Sequence, residues 1–158
     1  MSATATITGT LLIVHVFASV VWVGGMFFAH QVLRPSAMAL EAALRLELWS
    51  RVLGRFFLWV IAAILLLLAT GLAMVFLIFG GFAHLPGYVQ LMMGLGIVMM
   101  LLFLHLYFAP WRRLRAAVAR RDWAEGGRQL GQIRAIVTIN LVLGLITIAA
   151  ASGGRYWH

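Results

Sequence analysis

Four stretches of the chain carry no Asp, Glu, Lys or Arg: Ile7 to Leu33, Phe56 to Gly80, Tyr88 to Ala109 and Ala135 to Ser152. Each approaches or exceeds the ~20 residues that a helix needs to cross the hydrocarbon of a bilayer. In lipid, a backbone N–H or C=O has no water to turn to, so such a segment must satisfy its hydrogen bonds internally as a helix. The pattern predicts an all-α fold, an integral membrane four-helix transmembrane bundle. The whole chain, residues 1–158, reads as a single transmembrane domain.

Charge is confined to the connections. Residues 34–55 hold Arg34, Arg45, Arg51 and Arg55 against Glu41 and Glu47, and residues 112–134 hold seven arginines against Asp122 and Glu125. The connection from Gly81 to Gly87 has no Arg or Lys, and the tail after the last span has Arg155 alone. Positive charge collects on the cytoplasmic side of membrane proteins. Both Arg-rich loops are therefore expected in the cytoplasm and both termini outside, in a bacterial-type inner membrane. Trp49, Trp59, Trp111, Trp157, Tyr88 and Tyr156 lie near span ends, as in an interfacial aromatic belt. The first span lacks a basic leader and exceeds a signal-peptide core, so it reads as retained. Glu41/Arg45 and Glu47/Arg51 are i,i+4 pairs, and Leu40, Leu44 and Leu48 form one stripe. The loops thus read as partly helical, lying along the membrane surface.

Composition narrows the classes. Hydrophobic residues make up 64% of the chain and charged ones 10%, which fits the bilayer as principal partner. The formal charge is +8, and all twelve basic residues are Arg. Placed in short loops between apolar spans, they mark topology and attraction to anionic lipid rather than nucleic-acid binding. There is no Cys, which excludes disulfides, thiolate metal sites, thiol catalysis and covalent haem attachment through CxxCH. No P-loop, GxSxG or HExxH is present.

Imidazoles within a membrane are costly and mark candidate sites. His15 and His30 lie in span one and His105 in span three; His84 sits in the outer connection and His158 ends the chain. At 100° per residue, His15, Ser19, Trp22, Met26 and His30 share a face of span one, expected to point into the bundle. Gly94, Val98 and His105 share a face of span three, expected to do the same. His30 and His105 each open an H-x4-P segment that ends a span running toward an Arg-rich loop. Spans one and three run parallel, so these two histidines are expected at similar depth, where they could ligate one haem iron from both sides. His15 lies about 22 Å along the helix from His30 and cannot share that iron. Arg34, Arg51, Arg55, Arg112 and Arg134 are candidate partners for haem propionates. Met26, Met74, Met92, Met93, Met99 and Met100 within spans read as filler or as soft Cu(I) ligands. Thr70-Gly71, and the stripe of Asn140, Gly144, Thr147 and Ala151, read as packing seams.

The motifs His15-x6-Trp22-x-Gly24-Gly25, Leu33-Arg34-Pro35, Arg51-x3-Arg55-Phe56, Thr70-Gly71 and Arg134-x5-Asn140-Leu141 resemble the CopD family of copper-resistance membrane proteins. The layout is also similar to the HemJ-type protoporphyrinogen oxidases, which bind haem b. That likeness implies His15 and His105 as the histidine pair, whereas depth points to His30 and His105. This chain has Gly94 where the HemJ pattern has Lys.

The leading expectation is therefore a cytochrome b-like protein binding haem b, acting in electron transfer or as a membrane oxidoreductase with a quinone or other redox partner. The alternative is a CopD-like protein that transports or handles copper. A cofactor-free membrane subunit is a third option, and homo-oligomerisation is left open.

Overall fold

The computed structural model describes residues 3–156. Trp157 and His158 lie outside the described residues. Span one is a composite helix: α1 (Ala3–Ser19), a π turn (Val20–Gly24), α2 (Gly25–Phe28), a second π turn (Ala29–Leu33) and α3 (Arg34–Ala37). Then follow α4 (Ala42–Phe79), α5 (Gly87–Phe108), α6 (Pro110–Ala119) and α7 (Trp123–Gly153). No strand occurs among the described residues. Four helical stretches are long and apolar enough to cross a membrane, and the chain is a multi-pass membrane protein.

The breaks between helices have local causes. α4 ends on Gly80, whose φ of 68° is the left-handed conformation that glycine adopts without strain. Gly81 then donates to the Val75 carbonyl at 3.1 Å, closing the helix end. α5 stops because Pro110 has no N–H to continue the ladder; it opens α6 instead. Asp122 caps α7, its carboxylate accepting from the Glu125 N–H at 3.0 Å.

α1 packs along α4, and α5 along α7, while α7 also reaches the first π turn and α2. Gly144 allows that second approach, since a Cβ there would lie 2.8 Å from Val23 Cγ2. Spans one and three meet edge to face through Trp22 and Phe103, centroids 6.4 Å apart.

The π turns keep span one in register with its neighbours. Ala18, Trp22 and Met26 are buried at steps of four, and in a regular α-helix each such step drifts by about 40°. A π turn takes one extra residue and absorbs the drift. The first begins where the Ser19 hydroxyl donates to the His15 carbonyl at 2.9 Å, a side-chain bond that loosens the local ladder.

The Arg-rich segments depart from the surface-lying arrangement. They fold onto the end of the bundle and extend its core. α6 turns Trp111, Leu114 and Ala117 inward against α4 and α7, and Leu114 and Ala117 are both 0% exposed. Gly126 lets α7 close on this layer; a Cβ there would sit 3.1 Å from Leu46. α4 has 38 residues, about 57 Å at 1.5 Å each, so roughly half of it extends past a hydrocarbon layer of ~30 Å. On that extension the buried stripe is Leu46, Trp49 and Leu53, while Leu44 is exposed, as is Leu40 just before the helix. The stripe expected from Leu40, Leu44 and Leu48 is thus displaced around the helix. Trp49 and Trp111 are core residues rather than interfacial anchors, whereas Trp59 faces outward. Glu47 pairs with Arg51 at 3.7 Å, but Arg45 donates to the Leu40 carbonyl instead of pairing with Glu41.

Candidate functional site

The inward face expected for span one is present: Trp22 and Met26 are buried, and His15, Ser19 and His30 are partly so. The two histidines meet different surroundings.

His15 faces span two, its Nδ1 lying 2.8 Å from Thr70 Oγ1. The Thr70 hydroxyl also lies 2.6 Å from the Leu66 carbonyl, which can only accept. A hydroxyl has one proton. Given to Leu66, it leaves the Thr70 oxygen to accept, so His15 donates from Nδ1–H. In that arrangement the neutral ring keeps its lone pair on Nε2, so that one ring nitrogen is anchored and the other can ligate a metal. Gly71 runs alongside; a Cβ there would rest 3.4 Å from His15 Cε1. Thr70, read from sequence as part of a seam, is therefore the orienting partner of His15. Nothing in the sequence of span two alone pairs it with a histidine; its burial, at 5% exposed, appears only in the fold.

His30 lies in the second π turn, beside a cavity that it lines together with Arg34, Trp49, Phe56, Ile133 and Arg134. The fold brings three of the candidate residues, His30, Arg34 and Arg134, into one place. Its other walls come from spans two and four, and no span-three residue lines it. Arg51, Arg55 and Arg112 are exposed on the outside of the helical end and do not line this cavity.

His105 is exposed, as are Gly94 and Val98. The face expected to point inward is the outer one, and Met99, Phe103 and Leu106 are the buried side of α5. Register points the same way. Phe103 meets Trp22, so His30, eight residues beyond Trp22, lies about 9 Å deeper than His105, two residues beyond Phe103. His30 and His105 are thus neither level nor facing. The cavity beside His30, open on one side, has a volume of about 20 Å³, room for one water-sized body and far too little for a tetrapyrrole. The residues present do not fit a haem held between these two histidines.

Among the described residues, no group of three or more His, Cys, Asp or Glu side chains could hold a metal ion. Metal ligation inside the bundle would instead draw on imidazole and thioether donors. Met26 and Met99 are buried, and Met74 lies one turn beyond Thr70 on α4.

Searches of curated proteins and of solved structures return no match. The family model for Copper resistance protein D, CopD, matches residues 50–153. The match takes in Thr70, His105, Arg134 and Asn140 but begins beyond His15 and His30. It covers well over half of the chain, which therefore belongs to the CopD family.

Proposed function

We propose that this protein handles copper within the membrane, binding Cu(I) at His15 as part of its transport or sequestration. The observation that carries the reading is the His15–Thr70 hydrogen bond of 2.8 Å, which commits Nδ1 and leaves Nε2 free. Family membership supports the metal, and the donor chemistry supports its oxidation state. The spans offer imidazole and thioether but no carboxylate or thiolate, a set that suits soft Cu(I) better than hard cations. Bis-histidine haem, expected first from the sequence, has no geometric support.

The test is a competition between the purified protein and a chromophoric Cu(I) chelator under reducing conditions. Wild type is expected to withdraw Cu(I), and His15→Ala to bind at least about tenfold more weakly. Thr70→Val, which removes the orienting oxygen, is expected to weaken binding by about 10–100-fold. Failure of wild type to compete, or unchanged affinity in His15→Ala, defeats the proposal. A Soret band in the same preparation would return haem to consideration.

The charge pattern supports an inner-membrane orientation with both Arg-rich segments in the cytoplasm and both termini outside. A reporter fused after Arg120 should behave as cytoplasmic and one after Phe82 as periplasmic. The opposite pair of results reverses the orientation.

A further inference from the structure

The cavity beside His30 gathers hydrogen-bond donors and positive charge without an acceptor. His30 Nδ1, Trp49 Nε1 and Arg134 Nε are each buried with no partner, and all three residues line it. An indole N–H and a guanidinium Nε–H can only donate. Trp49 is itself buried, at 4% exposed. Arg34 lines the same cavity, and Arg34 and Arg45 both lie close enough to Arg134 to repel its charge. None of these three arginines pairs with a carboxylate; the ion pairs among the described residues are Glu47–Arg51 and Glu125–Arg128.

We infer that the cavity receives one oxygen of a phosphate group, and that the phosphate belongs to an anionic phospholipid headgroup. Size permits a single oxygen: the cavity volume is about 20 Å³, enough for one water-sized body. Trp49 Nε1 and Arg134 Nε donate to it, and His30 adds a third donor when its proton is on Nδ1. Arg34, exposed at the edge, meets the outer phosphate oxygens. The depth matches a headgroup, because Arg134 is the last charged residue before the apolar run that begins at Ala135. Basic pockets between membrane helices hold anionic headgroups in this way. Leu53, Phe56 and Val137 complete the wall with carbon, a surface suited to the start of an acyl chain.

The full-length protein, stripped of lipid in detergent, would be titrated separately with phosphatidylglycerol, phosphatidylcholine and inorganic phosphate while its thermal unfolding is followed. Phosphatidylglycerol is expected to stabilise it at concentrations about tenfold below phosphatidylcholine. Trp49→Phe keeps the packing but removes the N–H, and Arg134→Gln removes the charge. Each should weaken phosphatidylglycerol binding about tenfold, the scale of one hydrogen bond to a charged group. Arg120→Gln, on the exposed surface, should leave it unchanged. Inorganic phosphate that binds alone, competes with the lipid and loses affinity in the same two variants would support the site but make free phosphate its source. The inference is overturned if Trp49→Phe and Arg134→Gln bind phosphatidylglycerol as wild type does. It is equally overturned if Arg120→Gln weakens binding as much as Arg134→Gln, since that would be general surface attraction.

Discussion

Truncating Phe57 to Ala is expected to destabilise the bundle by about 3–5 kcal/mol, the range for removing a fully buried aromatic ring. Phe57 is 2% exposed and stands where three elements converge. Its ring meets Phe103 of α5 edge-on at 5.4 Å, Tyr107 at 6.2 Å and Trp111 of α6 at 5.3 Å. Contacts of this kind each add about 0.5–1.5 kcal/mol beyond the buried area. Lipid weakens the hydrophobic drive between helices, but close packing still favours their association and is what the cavity removes. The loss should also loosen the α5–α6 break at Pro110, because Phe57 touches both sides of it. Unfolding in detergent measures the effect. Leu65→Ala, at a side chain 61% exposed toward lipid, serves as the control and should stay within about 0.5 kcal/mol of wild type. Equal losses for the two variants would remove Phe57 from this role.

The four spans were legible because lipid leaves the backbone few choices: a charge-free run of ~20 residues has to be a helix. The faces of those helices were less legible. In water, burial writes a polar-apolar period into a helix, but a membrane helix is apolar toward both lipid and protein. The face of α5 carrying Gly94, Val98 and His105 could therefore be taken as inward, although it is exposed. Span one was easier, since His15, Ser19, Trp22, Met26 and His30 recur on one face at helical spacing. The Arg-rich segments misled for a related reason. An amphipathic helix such as α6 can lay its apolar side on lipid or on protein, and here the ends of α4 and α7 beyond the membrane supply the protein surface that Trp111 and Leu114 bury against.

Site residues divide along the same line. Intramembrane histidines stand out by cost alone, so His15 and His30 were visible in the sequence. Their partners were not, because partnership crosses between helices: Thr70 is 55 positions from His15, and Trp49 and Arg134 reach the His30 cavity from two other helices. Equal depth for His30 and His105 presumes matched entry points, whereas the Trp22–Phe103 contact sets the register between the two spans.

Adjacent glycines in span one should respond in opposite ways to the same substitution, because one faces Phe56 and the other faces open space. A Cβ at Gly25 would lie 2.7 Å from Phe56 Cζ, with a second ring carbon closer still, whereas one at Gly24 would meet nothing within 4 Å. Gly25→Leu is therefore expected to cost about 3 kcal/mol, the upper end of overpacking in a dense core. Gly25→Ala should cost less, since the Phe56 ring can swing. Gly24→Leu should be neutral or slightly stabilising, because glycine is the poorer helix former by up to about 1 kcal/mol. The Phe56 ring also lines the cavity beside His30, so pushing it aside alters that cavity's wall. Removing the ring tests the cause directly. In the double variant Gly25→Leu with Phe56→Ala, the new side chain enters the space the ring vacates, and stability should recover by about 1–3 kcal/mol relative to the sum of the single losses. Unfolding of the four proteins in one detergent gives that coupling. Additive losses, or equal behaviour of Gly24→Leu and Gly25→Leu, would mean that Phe56 does not press on Gly25 and that span one does not approach α4 closely at this level.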